Sequence, residues 1–358
     1  MSTLFQATQI GTLTVENRLV RSATAESLSD EEGRPLPELT AMYCALAQGG
    51  VGLIITGHAY VDPGGRCHKK MAGIYDDNLI PDWTKVTDAV HEVGGKVAMQ
   101  INHGGRQCAQ DAISGPLLAP SPVPVKKDGP RPLELNERDI RGLIRAYALA
   151  AGRAKEAGFD AVQLHGAHGY LIHSFNSPAS NWRSDAWGGT PARRLRFLEQ
   201  VSAAVRDVVG DAYPLFIKLG TVDFVRDGMA EKQGVEIIRH LRDMGLDAVE
   251  ISGGIGEGNS RKGVRSREDE AYFLPIARQA RYVTDLPIIL VGGMRSKEGM
   301  EQILEEGMAD MISLCRPLIR EPDLPNRMRD GQDKATCISC NQCWPREGEL
   351  GISCHYER

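Results

Sequence analysis

The residues of this sequence best suited to chemistry follow one apolar run. The run AVQLHG, residues 161–166, ends in His165, and His168 and Tyr170 come directly after it. Two imidazoles that aim Nε2 donors at one spot can hold a carbonyl or nitro oxygen, and a nearby phenol can deliver a proton. The spacing therefore predicts a site that polarises a substrate through its oxygen and protonates it.

Two other interpretations of these histidines stay open at this point. They can form a metal pair, for which His173 and Asp185 are available as further ligands. They can also be unrelated loop histidines with satisfied hydrogen bonds. Only the last interpretation gives the loop no function.

A second candidate is the lysine in the run PLFIKLG, residues 214–220. Burying an ammonium group in an apolar strand is costly unless an anion pairs with it. Lys218 therefore predicts a bound anion at this strand end. The alternatives are a lysine that reaches out to solvent, a lysine paired with a nearby carboxylate, and the Schiff-base nucleophile of a phosphate-binding lyase or isomerase.

Two late segments, VGGMRS and LCRPLIR, predict a phosphate site. They place the amides of Gly292 and Gly293 and the guanidinium of Arg316 after neighbouring apolar runs. In parallel α/β barrels the loops after the last two strands bind phosphate through backbone N–H groups and a helix N-terminus. Taken alone, this pattern favours a phosphate-bearing ligand without identifying it.

The end of the chain predicts a metal or cluster site. The segment CISCNQCWPREGELGISC has the spacing C-x2-C-x2-C-x10-C, formed by Cys337, Cys340, Cys343 and Cys354. Three cysteines at successive x2 spacing with a fourth further on favour an iron–sulfur cluster. Zinc, which prefers two separated C-x2-C pairs, and free thiols or disulfides are the alternatives. We treat 331–358 as a Cys-rich tail packed on a domain that covers 1–330.

These residues must be positioned by an alternation of strands and helices. Short apolar or β-branched runs, separated by longer segments of helical period, occur at 18–25, 51–59, 96–102, 161–166, 214–220, 248–254, 287–293 and 311–317. Near-continuous apolar runs are typical of parallel strands covered on both faces. Eight βα units predict a single-domain (β/α)8 TIM barrel, with the leading LFQATQIGTLTV as a hairpin that closes its bottom.

The site of such a barrel lies at the C-terminal ends of its strands. The polar residues that end the predicted strands are Gln100, His165, Lys218, Ser252 and Arg316. A doubly wound sheet would usually carry G-x-G-x-x-G after its first strand, and RSATAESLSDEEG does not contain it. GGIGEG, residues 253–258, follows the sixth strand and has Asn259 next, so it fails the pattern.

Two further features of the chain have local explanations. Residues 104–132, rich in Pro and Gly, form a long excursion after the third strand and predict a lid over the site. Before the fourth strand, Asn136 with Asp139 predicts a helix N-terminus, and Gly158 predicts its end.

Composition limits the classes of function. The 358 residues are 42% hydrophobic and 25% charged, which is ordinary for a globular protein, and the net charge is -5. This charge and the absence of a basic run argue against binding to nucleic acid. No signal peptide or membrane-spanning run is evident, so we expect a cytoplasmic protein that does not act on membranes.

Several motifs together resemble the old yellow enzyme family of FMN-dependent ene-reductases. They are NRLVRSA (17–23), QINHGGR (100–106), HGAHGYLIHSFNSPASNWRSDAWGG (165–189), FIKLG (216–220) and LCRPLIREP (314–322). The resemblance implies a (β/α)8 barrel with FMN over the strand ends. It also implies that NAD(P)H reduces the flavin and that hydride then passes to an activated alkene such as an α,β-unsaturated carbonyl.

The resemblance assigns roles to individual residues. His165 and His168 would polarise the substrate and Tyr170 would donate the proton, while Gln100 and Lys218 would face the pyrimidine edge of the flavin. The other residues implied to contact FMN or its phosphate are Ser22, Ala23, Thr24, Gly57, Gly292, Gly293, Cys315 and Arg316. The sequence departs from the family at Ala25, where many members have Thr or Cys, and at Cys315, where Gly is common.

The cysteine tail is similar to that of the 2,4-dienoyl-CoA reductase and trimethylamine dehydrogenase branch of the family. This similarity implies a 4Fe-4S cluster beside the flavin and a ferredoxin-type partner, with the possibility that the protein instead oxidises an amine and exports electrons. A non-catalytic electron-transfer subunit is a further alternative. Related barrels also often form homo-oligomers.

Overall fold

The computed structural model describes residues 2–255 and 270–356. In chain order the strands are β1 Thr8–Ile10, β2 Leu13–Val15, β3 Leu19–Arg21, β4 Leu53–Ile55, β5 Ala59–Tyr60, β6 Val97–Asn102, β7 Leu118–Ala119, β8 Leu133–Glu134, β9 Ala161–Gly166, β10 Leu215–Gly220, β11 Ala248–Ser252, β12 Ile288–Val291 and β13 Met311–Leu314. The helices are α1 Pro37–Gln48, α2 Ile80–Glu92, α3 Glu137–Glu156, α4 Leu171–Asn176, α5 Pro191–Val209, α6 Glu231–His240, α7 Leu274–Arg281, α8 Lys297–Glu305, α9 Arg316–Arg320 and α10 Leu324–Arg329.

Eight of these strands close into a parallel barrel. The hydrogen-bonded order is β3, β4, β6, β9, β10, β11, β12 and β13, and β13 pairs with β3 to complete the circle. Helices lie between successive strands along the chain. The predicted (β/α)8 TIM barrel is therefore confirmed.

Several strands are shorter than the apolar runs that predicted them. The run 18–25 forms β3 only as far as Arg21, and the run 311–317 forms β13 only as far as Leu314. The backbone N–H of Ser22 still bonds to the Leu314 carbonyl at 2.8 Å, after which both chains turn outward. Of the residues predicted to contact ligand, Ser22, Ala23, Thr24 and Cys315 therefore lie just beyond these strands.

The bottom of the barrel is plugged by the N-terminal hairpin. β1 and β2 pair antiparallel, and Ile10, Leu13 and Val15 join one apolar cluster with inward residues of the barrel strands such as Phe216 and Ala248. This confirms the predicted hairpin and its place. Burying these side chains removes the open end of the barrel from water.

Side chains inside the barrel alternate along each strand with period two. Two residues beyond the apolar layer that contains Phe216 and Ala248 come Lys218 and Glu250, which are direct cross-strand partners. The members of this second, polar layer, all buried, are Ser22, Gln100, Gln163, Lys218, Glu250 and Ser313. The barrel is thus apolar at its base and polar at the level just below its mouth.

The helix before β9 follows its predicted cap. Asn136 accepts from the Asp139 backbone at 3.0 Å, and Asp139 accepts from the Asn136 backbone at 3.4 Å, which forms a reciprocal capping box. Gly158 follows with a φ of 87°, a left-handed conformation that ends the helix. α3 packs extensively against α5 and fixes the start of β9.

The excursion over 104–132 lies beside the mouth of the barrel. Its first part includes the 3-10 turn Gly105–Gln107, and the Gln107 side chain donates to the carbonyl of His168. β7, near its middle, pairs with β8. These contacts tie the excursion to the loop after β9, and its role as a lid stays a prediction.

The cysteine tail contacts the barrel near the ends of β3 and β12. The backbone N–H of Ala335 bonds to the Arg295 carbonyl at 2.9 Å, and that of Ile352 bonds to the Glu26 carbonyl at 3.0 Å. In the described ranges, no helix has the length and apolar character needed to cross a membrane. The segment GGIGEG continues past residue 255 and lies partly outside the described residues.

Candidate active site

The polar layer below the mouth is organised around one ion pair. Lys218 is 3% exposed, and its Nζ lies 3.0 Å from Oε1 of Glu250. Lys218 Nζ also donates to Ser22 Oγ at 2.7 Å. Of the alternatives that the sequence left open, the lysine therefore takes the pairing with a nearby carboxylate, and its burial excludes a side chain that reaches out to solvent.

Glu250 is fully buried and bonded at both oxygens. Oε1 accepts from Ser22 and Ser313 at 2.8 Å each, and Oε2 accepts from Gln163 at 2.8 Å. Burial alone would raise the pKa of Glu250, but the Lys218 ammonium and the three side-chain donors hold this pKa below its ordinary value. The carboxylate is therefore ionised across the neutral pH range.

Gln163 connects this pair to Gln100. Gln100 Nε2 donates to Gln163 Oε1 at 2.6 Å, so three residues predicted for the site, Ser22, Gln100 and Lys218, belong to one network. Sequence reasoning missed Gln163 and Glu250, although the two-residue repeat of side-chain direction along a strand could have identified them. They precede His165 and Ser252 by two positions and so face the same side of their strands.

The three predicted catalytic residues come together at the mouth. The rings of His165 and His168 lie 5.1 Å apart at 87°, and those of His165 and Tyr170 lie 4.8 Å apart at 73°. His165 ends β9, and Tyr170 immediately precedes α4, so strand and helix hold the two rings from opposite sides. The loop between them is held by a left-handed His168, with φ 63°.

His165 is held as a neutral imidazole with a defined proton. The backbone N–H of Ala167 donates to its Nδ1 at 3.3 Å, which leaves the ring proton on Nε2. Burial, followed by the neighbouring His168, His58 and Lys218, lowers the pKa of His165 well below its ordinary value. Its Nε2–H is therefore a hydrogen-bond donor that persists at neutral pH.

His168 is arranged differently from the prediction of two donors aimed at one spot. Its Nε2 lies 2.7 Å from Ser252 Oγ, at the end of β11. Ser252, which the sequence placed at a strand end, thus contacts the histidine loop. A ligand oxygen at this position would exchange with the serine hydroxyl as the partner of His168.

A third imidazole, His58, was not predicted. It is 8% exposed, and its ring lies 5.1 Å from that of Tyr170 and 5.7 Å from that of His165. Asn102 Nδ2 donates to its Nδ1 at 2.8 Å, and burial lowers the pKa of His58 to about 3. His58 lies between β4 and β5, near the end of the predicted run 51–59, and as a single histidine it gave no signal of its own.

The residues available for a metal at this loop are engaged elsewhere. His173 Nε2 bonds to Asp223 at 2.8 Å with both side chains fully buried, and Asp185 is paired with Arg183. Within residues 2–255 and 270–356, no group of three or more His, Cys, Asp or Glu side chains is arranged to hold a metal ion. Nothing here favours the metal-pair interpretation of the histidine loop.

The ends of β12 and β13 form a cavity with the features of a phosphate site. Gly293, Cys315 and Arg316 line it, together with Arg295. Gly292 and Gly293, which directly follow β12, have φ values of 137° and 74°, a conformation that favours glycine. Cys315 directly precedes α9, which begins at Arg316.

Arg295 is the residue here that sequence reasoning missed. It is 4% exposed, and its Nε and Nη2 have no hydrogen-bond partner among the residues that the structure describes. The nearest carboxylate oxygen to Nε is that of Glu270, at 3.7 Å. A buried guanidinium with unused donors beside left-handed glycines fits a ligand phosphate.

Comparisons with known proteins agree with this geometry. Residues 3–335 match the NADH:flavin oxidoreductase / NADH oxidase family. An NADPH dehydrogenase of Geobacillus thermodenitrificans is 35% identical over 316 residues, which are 87% of this chain and 89% of the relative. The chain belongs to this family, which includes the old yellow enzymes. The resemblance that the motifs indicated is thus confirmed.

Other members of the flavin oxidoreductase family are longer. An NADH oxidase of Thermoanaerobacter brockii is 36% identical over 342 residues, 94% of this chain but 52% of the relative. The structure of 2-naphthoyl-CoA reductase in complex with 2-naphthoyl-CoA has a TM-score of 0.90 at 26% identity and covers 95% of this chain and 54% of that chain. An old yellow enzyme homologue from Zymomonas mobilis has a TM-score of 0.80 at 27% identity and covers 94% of this chain and 95% of that chain. The chain spans about half the length of the first two relatives.

The remaining residues that the family resemblance implies for FMN contact, Ala23, Thr24 and Gly57, lie in the loops after β3 and β4. Thr24 Oγ1 donates to the Ser22 carbonyl at 2.9 Å and lies 3.1 Å from Cys315 Sγ, so the loops after β3 and β13 touch. The Gly57 amide donates to Glu26 at 2.8 Å, and a side chain at Gly57 would collide with the same carboxylate. Ala23 packs against the apolar barrel interior. Glycine at 57 is therefore required by the packing of this loop.

The cysteine tail lies close to the loops after β12 and β13, because Ser339 lines the same cavity as Cys315 and Arg316. All eight cysteines are described and none forms a disulfide. Ser339 and Asn341 have positive φ values of 56° and 62°, which curl the C-x2-C-x2-C loop, and the Ser353 N–H bonds to the Cys343 carbonyl at 3.2 Å. Burial, with Cys337 and Cys315 as the nearest thiols acting on it, raises the pKa of Cys343 to about 11.

Proposed function

We propose that this protein is an ene-reductase that uses NAD(P)H and FMN to reduce activated alkenes such as α,β-unsaturated carbonyls. The observation that carries the proposal is the neutral His165 Nε2 donor beside Tyr170, above a polar layer that contains a buried cation. The name of the 2-naphthoyl-CoA reductase relative, whose ligand is a conjugated thioester, supports a carbonyl-activated substrate.

The bound FMN would supply the hydride. Ser22, Gln100 and Lys218 form the polar floor on which its ring system would lie, and Arg295 and Arg316 would hold its phosphate. These groups fit because the floor offers hydrogen-bonding side chains, while the cavity after β12 and β13 offers unused guanidinium donors.

The residues at the mouth would act on the substrate. His165 donates from Nε2 to the carbonyl oxygen and so withdraws electron density from the conjugated double bond. His168 would do the same after exchanging Ser252 for the substrate oxygen. Tyr170 would donate its phenolic proton to the α-carbon once the β-carbon has accepted hydride. The Tyr170 ring lies beside the imidazoles of His58 and His165, at 5.1 and 4.8 Å.

The structure also weakens the Schiff-base alternative. An ammonium that is ion-paired at 3.0 Å carries no lone pair with which to attack a carbonyl. A colourless protein that borohydride traps with a keto substrate would restore that alternative.

The proposal is tested by separating the two half-reactions in a stopped-flow experiment. NADPH should bleach the flavin absorbance, and 2-cyclohexenone should restore it. Tyr170→Phe should keep the NADPH step and slow reoxidation by the enone by about 10²- to 10⁴-fold, the usual contribution of a positioned proton donor. Tyr213→Phe is the matched control, because that hydroxyl donates to the Phe159 carbonyl at the far end of β10. Unchanged reoxidation in Tyr170→Phe would remove Tyr170 from the chemistry.

A second candidate keeps the flavin but exports electrons through the tail. This candidate is carried by the C-x2-C-x2-C-x10-C spacing of the tail cysteines. All four lie within the described residues, where no group of three or more His, Cys, Asp or Glu side chains is arranged to hold a metal ion. A 4Fe-4S cluster there would support a ferredoxin-type partner, and zinc would support a structural role. Anaerobically purified protein should contain equimolar iron and sulfide in the first case and zinc in the second. Flavin bleaching by an amine instead of NADPH would favour the dehydrogenase reaction.

The enone-type substrate, the ferredoxin-type partner, the homo-oligomer and the cytoplasmic location stay predictions of the sequence. Size-exclusion chromatography with light scattering measures the oligomeric state directly.

A further inference from the structure

The buried carboxylate of Glu250 has no role in the chemistry described so far. It lies in the polar layer directly beneath the mouth, is fully buried, and contacts the one cation of that layer among the described residues. Its four polar contacts, to Lys218, Ser22, Ser313 and Gln163, come from strands or loops on both sides of β11. Such a fully bonded carboxylate is fixed in place.

The ion pair changes the electrostatic attraction that Lys218 exerts on a ligand above it. An isolated ammonium would attract the negative charge that a flavin gains on reduction. With a carboxylate at 3.0 Å the pair is neutral overall, and its field falls off faster than that of a single charge. The attraction toward a reduced flavin is therefore weaker than the lysine alone would give.

Glu250 also determines where the ammonium lies. Lys218 and Glu250 are cross-strand partners on β10 and β11, and Ser22 bonds to both at 2.7 and 2.8 Å. This triangle of contacts fixes the position of the ammonium. Without the carboxylate, a buried ammonium would lose its only described anionic partner.

We propose that Glu250 is a positioning residue that sets the reduction potential of the flavin by holding and partly neutralising Lys218. This inference rests on the binding of FMN over the polar layer, which is part of the proposed function. It does not depend on the identity of the substrate.

The test removes the charge of Glu250 or of Lys218 by substitution in the FMN-loaded protein. The two-electron reduction potential of the flavin is then measured against a reference dye. Glu250→Gln keeps the size and hydrogen-bonding capacity of the side chain but removes its charge. It should increase the affinity for reduced over oxidised FMN about tenfold, which is a rise of about 30 mV in potential. Lys218→Met should shift the potential in the opposite direction.

Two further variants separate a charge effect from a packing effect. Glu250→Asp keeps the charge and should stay within about threefold of the wild-type affinity ratio. Asp247→Asn removes a carboxylate from the same stretch of chain, where it pairs with Arg206 at the bottom of the barrel, and should leave the potential unchanged.

The double variant Lys218→Met/Glu250→Gln covers the case in which Glu250→Gln alone does not fold, because it leaves no unpaired buried charge. Its potential should lie about 30 mV above that of Lys218→Met, which is an about tenfold higher affinity for reduced over oxidised FMN. The inference would be overturned if FMN binds stoichiometrically and the potential of Glu250→Gln equals that of the wild type. Equal potentials of the double variant and Lys218→Met would overturn it as well. A wild-type protein that binds no FMN would instead refute the proposed function.

Discussion

At the scale of single residues, the mouth of this barrel combines a buried ion pair with buried neutral imidazoles. Lys218 forms an ion pair with Glu250, whose carboxylate lies 3.0 Å away. His58 and His165 are instead held neutral, since burial lowers the pKa of both imidazoles. A neutral imidazole donates a hydrogen bond without placing a second cation above the ammonium, so the site can combine a cation below with donors above.

The low pKa of His58 makes folding sensitive to acid. The ordinary pKa of histidine is 6.5 and that of folded His58 is about 3, so between these values the unfolded chain binds a proton that the folded chain does not. Stability is therefore lost as the pH falls through this window. From pH 7 to pH 5 this residue should lower the free energy of unfolding by about 2 kcal/mol.

His58→Gln should remove that contribution. The free energy of unfolding is measured by urea denaturation at pH 7 and pH 5 with saturating FMN. Its decrease between the two pH values should be smaller by about 2 kcal/mol in the variant than in the wild type. His240→Gln, at a half-exposed position on α6, should retain the wild-type loss. An identical loss in His58→Gln and wild type would contradict the pKa assignment.

The unused donors of Arg295 predict a phosphate-specific effect. Arg295→Gln should weaken FMN binding about 10- to 100-fold, the usual contribution of charge-assisted hydrogen bonds, and leave riboflavin binding unchanged. Flavin fluorescence quenching measures both constants. The control is Arg278→Gln, on α7, where the side chain is exposed beside Glu306. Equal weakening of both flavins would make Arg295 a packing residue.

At the scale of elements, the site is built by strand ends and by the helices that follow them. β9 carries Gln163 into the polar layer and His165 to the mouth, because inward positions recur every second residue. The helix before it, α3, is straightforward to recognise, since its capping box and its left-handed Gly158 are local features. Strand and helix together fix the height of the histidine loop.

The capping box of α3 gives a prediction at this scale. Asn136→Ala removes the acceptor for the Asp139 N–H and should lower the free energy of unfolding by about 1 kcal/mol. Asn136→Asp keeps an acceptor and should change it by much less. Chemical denaturation at neutral pH measures both. Equal losses in the two variants would show that the cap contributes through packing alone.

At the scale of the whole molecule, the barrel is divided into an apolar base and a polar mouth. The hairpin β1–β2 inserts Ile10 into the base, where it contacts the same cluster as Phe216 and Met311. Closing the base in this way leaves only the mouth accessible, so ligands can reach the polar layer from one side. The tail adds its contacts at that mouth, next to the phosphate cavity.

The plug predicts a graded loss of stability. Ile10 is fully buried, so Ile10→Val should cost about 1 kcal/mol and Ile10→Ala about 2–4 kcal/mol. The potential of the bound flavin should not change, because the plug lies on the far side of the polar layer. Denaturation curves and dye titration check the two statements. A loss below about 0.5 kcal/mol for Ile10→Ala would show that the hairpin is not part of the cooperative core.

The sequence by itself determined the barrel, the hairpin, the capped helix and the family. These follow from short-range information: apolar runs, cap residues and motifs such as the loop after His165 are all written in consecutive residues. It also located several site residues, because polar side chains that end apolar strands meet at one end of a parallel barrel.

Only the tertiary structure decided what these residues do to one another. The partner of Lys218 is 32 positions away in sequence, at Glu250, and the bond exists because β10 and β11 pair in one register. His58 and Arg295 gave no local signal, since their importance comes from the rings and the cavity beside them. Electrostatic interaction depends on distance through space, and strand register sets that distance.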